Sequence, residues 1–384
     1  MAPILGPPFC RPRTSEGITV ERCHTIGSIT PGSDPVLYLE AAIDLFSRCR
    51  NAFPECPMIV NTAGWVQDLG LEILVDLITK LGAAEIIYMS ETGPDDTVQV
   101  LSAACTSARL TLLPSQESDP SARTAAQFRS MRTMSYFHSV AEDPTVVGSA
   151  PRWDATPIDH VPPYYVAYDG PSREITGVVR YGNQVAPQHL AKVINGMVLA
   201  LVEVEDAAAF RIEQSEQERP AKELSDLLSS ITETTPEGIP YITVPGRFSL
   251  DPRYSKALGL VLIRGIDTRR CLFHILTPIN PDVLKTGRPK VMVSGTPGFG
   301  LPPWAYTESL EKQDFEAAGP DAIGETETDT DDPTPSTRNT GVRLLSGLDA
   351  LDMEDIPYVE VLQGDDQRDT GQTLRIRRDL GRSG

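Results

Sequence analysis

The sequence predicts an α/β protein in which a parallel sheet with helices comes first and a mixed, mainly β region follows. Two observations carry that prediction. From Glu21 to Ser90 short apolar runs alternate with segments of helical period, giving a β-α-β-α-β order that only a parallel sheet accommodates. Beyond the Pro-rich stretch from Pro144 to Pro163, short apolar runs recur between Gly and Pro punctuation, the texture of a β-rich domain.

The elements follow in order. A strand is expected near Arg22 to Ser28, then a helix from Asp34 to Phe53, with Ser33 or Asp34 as its cap. Pro35 suits the first helical position, and Tyr38, Ala42, Leu45 and Phe46 form the apolar stripe. Met58, Ile59 and Val60 open a β-rich run expected to form a strand to Thr62. Leu69, Ile73, Leu74, Leu77 and Ile78 recur at helical spacing to Leu81. A strand at Glu85 to Ser90, a helix at Asp95 to Ala108 and a strand at Leu110 to Leu113 complete the series, and Ser115 to Pro120 reads as a loop. Ala122 to Val140 has helix-forming content. The β-rich region offers strands at Val161 to Tyr168, Ile175 to Tyr181, Tyr241 to Val244, Leu258 to Asp267 and Cys271 to Leu276, with a short helix at Pro187 to Ile194. Asp314 to Asn339 is acidic, aliphatic-poor and rich in Thr and Pro, hence a disordered linker. Apolar character returns at Leu344 to Val361, and the chain ends in LRIRRDLGRSG. The resulting division is 1–150, 151–305, 306–343 and 344–384.

Composition narrows the function classes. With 384 residues and 40% hydrophobic content the chain can bury real cores, and its formal charge of -19 provides no general attraction for nucleic acid. Any RNA contact must come from a local basic patch. Six cysteines show neither a CxxC pair nor matching histidine spacing, which disfavours a zinc site and a disulfide scaffold. No apolar run reaches the roughly 20 residues of a membrane span; Gly196 to Val204 comes nearest and is far too short. The N-terminus lacks the apolar core of a signal peptide and no glycosylation sequon occurs, so an intracellular protein with reduced thiols is expected.

The segment MIVNTAGWVQDLGLEIL at Met58 to Leu74 is the most informative. If it runs from strand through loop to helix, Thr62, Ala63, Gly64 and Trp65 lie at a strand's carboxyl end, where open parallel sheets bind ligands. Trp65 is then either an anchor for the loop or a platform for a base. Arg129 and Arg132 fall on one helix face, with Arg123 earlier, and read either as a phosphate clamp or as a solvated face. No GxxxxGK[ST] loop exists, and no lysine follows a glycine. Ser294 to Leu301, SGTPGFGL, is followed by Pro302 and Pro303 instead of a helix and reads as a β-domain turn. The five histidines are scattered, without Ser/His/Asp order or HExxH spacing, so hydrolase and metalloenzyme readings lack support.

Several segments in order resemble one family, the eukaryotic polynucleotide 5′-hydroxyl kinases of ribosomal-RNA processing, relatives of the kinase-like subunit of the pre-mRNA cleavage machinery. They include LGPPFCRP at Leu5 to Pro12, HTIGSITPGSDPVLYLEAAIDL at His24 to Leu45 and VNTAGWVQDLGLEILVDLI at Val60 to Ile78. TAAQFRSMRTMSYFH at Thr124 to His138, VAYDGPSREITGVV at Val166 to Val179 and INGMVLALVEVED at Ile194 to Asp206 continue the series. LGLVLIRGIDTRRCLFHILTPI at Leu258 to Ile279 and LRIRRDLGR at Leu374 to Arg382 complete it.

The resemblance implies a P-loop kinase-type parallel sheet, incomplete here, followed by the mainly β C-terminal domain. It implies transfer of the ATP γ-phosphate, with Mg²⁺, to an RNA 5′-hydroxyl in processing of the second internal transcribed spacer. It also implies a nucleolar location and a HEPN-type endoribonuclease as partner. In such a site Thr62, Gly64 and Trp65 look like a substrate clasp, and Arg129 and Arg132 like lid arginines. Arg375, Arg377 and Arg378 of the tail are candidates for engaging the partner or RNA phosphates. Family members place their Walker A lysine and serine and their Walker B aspartate upstream of the segment equivalent to LGPPF, and this chain begins a few residues before it. The expectation is therefore a chain that does not act as a kinase by itself. The alternatives are a fragment of an active kinase, a non-catalytic scaffold for the nuclease, or an adaptor in pre-mRNA 3′-end cleavage. A sheet lacking its P-loop strands is also expected to leave apolar edges uncovered, and the isolated chain to be poorly soluble.

Overall fold

The computed structural model describes residues 4–5, 20–90, 95–105, 108–115, 132–140, 152–154, 156, 158–171, 173–212, 224–285, 287–295 and 343–344. The expected helices over Arg129 and the acidic linker over Asp314 to Asn339 fall outside these residues in whole or part, as does the tail with Arg375, Arg377 and Arg378.

The chain is α/β. Two helices lead the N-terminal part: α1 at Pro35–Ala52 and α2 at Leu69–Leu81. Asp34 caps α1 by accepting from the Leu37 amide at 3.1 Å, and Gly82 ends α2 in the left-handed conformation. Strands β3 (Glu85–Met89) and β4 (Arg109–Leu113) pair in parallel across α3 (Asp95–Ala104). Helix α1 is apolar on two sides. Its Leu37 packs with Phe210, Phe248 and Leu250 beneath the large sheet, while Tyr38, Ala42, Ile43 and Phe46 meet Ile73, Leu77 and Leu81 of α2.

The second body is a nine-stranded mixed sheet. Its strands are β7 (Tyr164–Ala167), β8 (Gly177–Arg180), β9 (Val198–Val204), β10 (Thr232–Thr234), β11 (Pro240–Ile242), β12 (Ser255–Asp267), β13 (Leu272–Leu276), β14 (Lys290–Ser294) and β15 (Arg343–Leu344). Their order is β10-β11-β8-β14-β9-β12-β13-β7-β15, with β11-β8, β8-β14 and β7-β15 parallel. One face carries Val166, Leu201, Phe273 and Met292 under helix α5 (Pro187–Ile194) and α7 (Pro281–Lys285). The other carries Val179, Val202 and Val293 beneath α1 and α6 (Leu224–Ile231). Strand β9 is buried along its whole length, so it reads in the sequence as an apolar run without period, broken only by Glu203, whose carboxylate is paired with Lys256 and Arg288.

Three expectations change. Met58 to Thr62 belongs to no strand: Ile59 is 95% exposed and Val60 51%, because β3 pairs with β4 and no described strand pairs with the run. The strand expected at Arg22 to Ser28 shrinks to β2 (Arg22–Cys23), paired with β1 (Ile4–Leu5). The helix expected to Val140 is described as α4 over residues 132–137, after which β5 (Ser139–Val140) pairs with β6 (Arg152–Trp153). The short parallel pair β3-β4 leaves Ile87, Met89, Leu112 and Leu113 exposed, a state that parallel strands seldom show.

A buried ionic node joins the two bodies. Arg22 on β2 donates to Asp44 of α1 at 3.0 Å, to both Glu205 oxygens at 3.0 and 3.1 Å, and to the carbonyls of Pro252 and Ser255. His24 adds a 2.9 Å bond to Asp44, and since a carboxylate only accepts, Nε2 carries the proton. Burial and the neighbouring Arg22 and Arg48 charges outweigh this bond, and the imidazole sits below its ordinary value.

Candidate functional site

The loop before α2 is built around Trp65. Gly70 lies in the first turn of α2, and a methyl group there would meet the Trp65 carbonyl and stand 2.6 Å from its Cδ2. Gly32, in the turn Pro31–Ser33, would place one 3.0 Å from Cζ3 and 3.1 Å from Cη2. The indole is thus held between two backbone surfaces that only glycine leaves open. Yet Trp65 remains 39% exposed. Anchor and platform are therefore compatible in one residue, which the sequence offered as alternatives.

Around it, Thr62, Ala63 and Trp65 line a shallow recess with Pro31, Tyr38, Ile73, Leu74 and Leu77. Gly64 is at the open tip, with no atom within 4 Å of where a side chain would start. Asp68, which closes the loop, takes φ 47° and makes no side-chain cap bond to α2. That is a costly conformation for a non-glycine residue, held by the loop's other contacts. On the opposite wall Thr30 accepts from Gly32, Ser28 donates to Ser33 at 2.7 Å, and Arg247 donates to the Ser33 carbonyl, fixing the turn that seats the indole.

Thr62, Gly64 and Trp65 therefore share one loop. Arg132 is exposed on a different element, the described part of α4, and Arg129 lies outside the described residues. Helix α4 is fastened from its far end: the Tyr136 hydroxyl donates to the Leu260 carbonyl at 3.2 Å and accepts from the Leu260 amide at 2.8 Å. Gly32, Gly70 and Tyr136 were not legible as site residues. The one available signal was a glycine in the first turn of a helix, five residues after a tryptophan.

Among the described residues no three His, Cys, Asp or Glu side chains gather to hold a metal ion, and no helix is long and apolar enough to cross a membrane.

Comparison with known proteins adds the following. Residues 9–139 match the family described as the mRNA cleavage and polyadenylation factor CLP1 P-loop. The polynucleotide 5′-hydroxyl-kinase GRC3 of Gibberella zeae is 39% identical over 393 residues, covering 99% of this chain and 52% of that protein. Its counterpart in Aspergillus niger is 35% identical over 343 residues, covering 80% of this chain and 41% of that protein. The chain spans about half the length of the curated relatives it matches. A solved structure described as the extended interface between Pcf11p and Clp1p is 14% identical with a TM-score of 0.39, over 71% of this chain and 55% of that one.

Proposed function

We propose that this chain, which aligns over 99% and 80% of its length with two fungal polynucleotide 5′-hydroxyl kinases, is the part of such an enzyme that grasps the 5′-hydroxyl end of an RNA. The observation that carries this reading is Trp65, seated on Gly32 and Gly70 while 39% of it stays open to solvent beside Thr62 and Gly64. A rigid aromatic face stacks on any base without reading its identity, and a side-chain-free tip at Gly64 lets a ribose-phosphate backbone come close. Arg132, exposed on a fixed helix, is suited to neutralise a phosphate.

Phosphoryl transfer consists mainly of positioning and charge neutralisation. The ATP and Mg²⁺ used by the family need a phosphate cradle and metal ligands. No lysine in this chain follows a glycine, and no metal-holding group occurs among the described residues. The proposal for these residues is therefore that they hold the RNA, while the family's Mg²⁺-ATP would supply the phosphoryl group. The wider role is processing of pre-ribosomal RNA at the second internal transcribed spacer in the nucleolus, alongside a HEPN-type endoribonuclease. The match of residues 9–139 to the CLP1 description favours a second reading, an adaptor in pre-mRNA 3′-end cleavage.

The test is binding of a short single-stranded RNA bearing a 5′-hydroxyl to the full chain. Trp65→Ala is expected to weaken it by about 1–3 kcal/mol, with Thr62→Ala and Gly64→Val weakening it less. A Trp65→Ala protein that melts earlier but binds RNA unchanged would make Trp65 a structural anchor only.

A further inference from the structure

We propose that Tyr136 is a positioning residue: its two-way hydrogen bond to Leu260 fixes the register of helix α4 and so sets where Arg132 meets an RNA phosphate. This inference rests on the RNA-grasping function proposed above. Three observations support it. Strand β13 ends at Leu276 opposite Leu262, so two residues further along β12 the backbone of Leu260 has no strand partner on that side. Its polar groups are taken instead by side chains, the carbonyl by Thr277 Oγ1 at 2.8 Å and both carbonyl and amide by the Tyr136 hydroxyl. Helix α4 thereby completes the sheet at the irregularity in β12 between Ala257 and Gly259.

Helix α4 also makes apolar contacts. Met134 and Phe137 pack against Ile158, Val198, Leu262 and Leu276. Apolar contact supplies adhesion but tolerates sliding, because it is non-directional. A hydroxyl bonded to both polar groups of one residue has a single location. Gly259 keeps that location open: a methyl group there would run into the Tyr136 hydroxyl and stand 3.0 Å from Ile279. Tyr136 is 5% exposed, and Arg132 lies one helical turn before it, exposed. The helix is therefore pinned at Tyr136, with Arg132 exposed one turn before it.

The experiment follows two readouts on the full chain. Binding of a short 5′-hydroxyl single-stranded RNA is titrated across a sodium chloride series, and trypsin cleavage after Arg132 is timed in the absence of RNA. Tyr136→Phe keeps the ring and removes the hydroxyl. It is expected to reduce the slope of log affinity against log salt by about 0.7, one phosphate contact on a single strand, as Arg132→Ala does. The double variant is expected to bind no more weakly than Arg132→Ala alone. Cleavage after Arg132 is expected to quicken roughly tenfold in Tyr136→Phe if the hydroxyl contributes the ~1.4 kcal/mol within reach of one such bond. Gly259→Ala approaches the same bond from the strand side and should reproduce both changes. RNA bound by Tyr136→Phe with an unchanged salt slope, or additive losses in the double variant, overturns this inference alone. An unmodified chain that binds no RNA overturns the functional reading beneath it, while unchanged cleavage in Tyr136→Phe and Gly259→Ala then overturns the register role as well.

Discussion

Arg22 Nε lies 3.0 Å from Asp44 Oδ2 with both side chains almost wholly buried, and this pair ties the helical layer to the large sheet. Arg22 also reaches Glu205 beyond the end of β9 and two carbonyls around the turn at Pro252–Tyr254. A buried pair need not stabilise relative to an apolar replacement, but removing one partner strands the other charge. Asp44→Ala is expected to cost about 3–5 kcal/mol in urea melts. The double replacement Arg22→Met with Asp44→Leu should recover much of that. A single replacement costing under about 1 kcal/mol would show that water reaches the node.

The same node sets the acid limit of stability. His24 has its folded-state value depressed below 6.5, so stability is full above that pH and declines as the unfolded chain gains a proton that the fold resists. For Asp44, burial acts to raise the carboxyl, but the His24 bond and the Arg22 and Arg48 charges hold it below its ordinary value; Glu205 is likewise held down by Arg22, Arg48 and Lys256. Their contribution is present above the ordinary carboxylate range and is lost as pH falls through it. Melting temperature should therefore start to fall below pH 6.5 and drop again below about pH 4. Replacing His24 by Gln should reduce the first decline, to which the buried His274, also held below its ordinary value by burial, contributes as well, and leave the second.

Gly70 offers a test of sign. Alanine in a helix is ordinarily worth about 0.5–1 kcal/mol over glycine. Here the added methyl meets the Trp65 carbonyl and ring, so Gly70→Ala is expected to destabilise instead. With Trp153 and Trp304 changed to Phe, the emission of Trp65 should shift to the red as the indole leaves its seat. A stabilised protein with unchanged emission would remove the two-glycine seat from the account.

Asp68 holds a positive φ of 47° without a capping bond to show for it. Asp68→Gly should relieve strain of about 1 kcal/mol or more and raise the melting temperature. If the strain preorganises the clasp, the same change weakens RNA binding; equal affinity with greater stability would mark the strain as incidental.

Ile59 at 95% exposure, with Ile87, Met89 and Leu112 each above half exposed, makes the parallel pair β3-β4 and the run before Trp65 sticky. Combining Ile59→Asp with Leu112→Lys is expected to change stability by no more than about 0.5 kcal/mol and to suppress association in light scattering. Persistent association would place the sticky surface elsewhere.

The sequence by itself determined the class and helices α1, α2, α3 and α5, but neither α6 nor α7. Pro35 behind the Asp34 cap and the apolar period to Leu81 fix α1 and α2, because caps and period are local properties of consecutive residues. It also determined that Thr62, Gly64 and Trp65 share a loop. Only the tertiary structure decided the rest. Met58 to Thr62 has the composition of a strand but no described partner, and pairing is a property of two segments, never of one. Strand β9 has no period to read because both its faces are buried. Gly32 and Gly70 meet across one indole, Arg22 finds Asp44 and Glu205, and Tyr136 finds Leu260 over separations that no local pattern spans. Such contacts exist only after the chain has closed its long loops, so they are written in the sequence without being legible there.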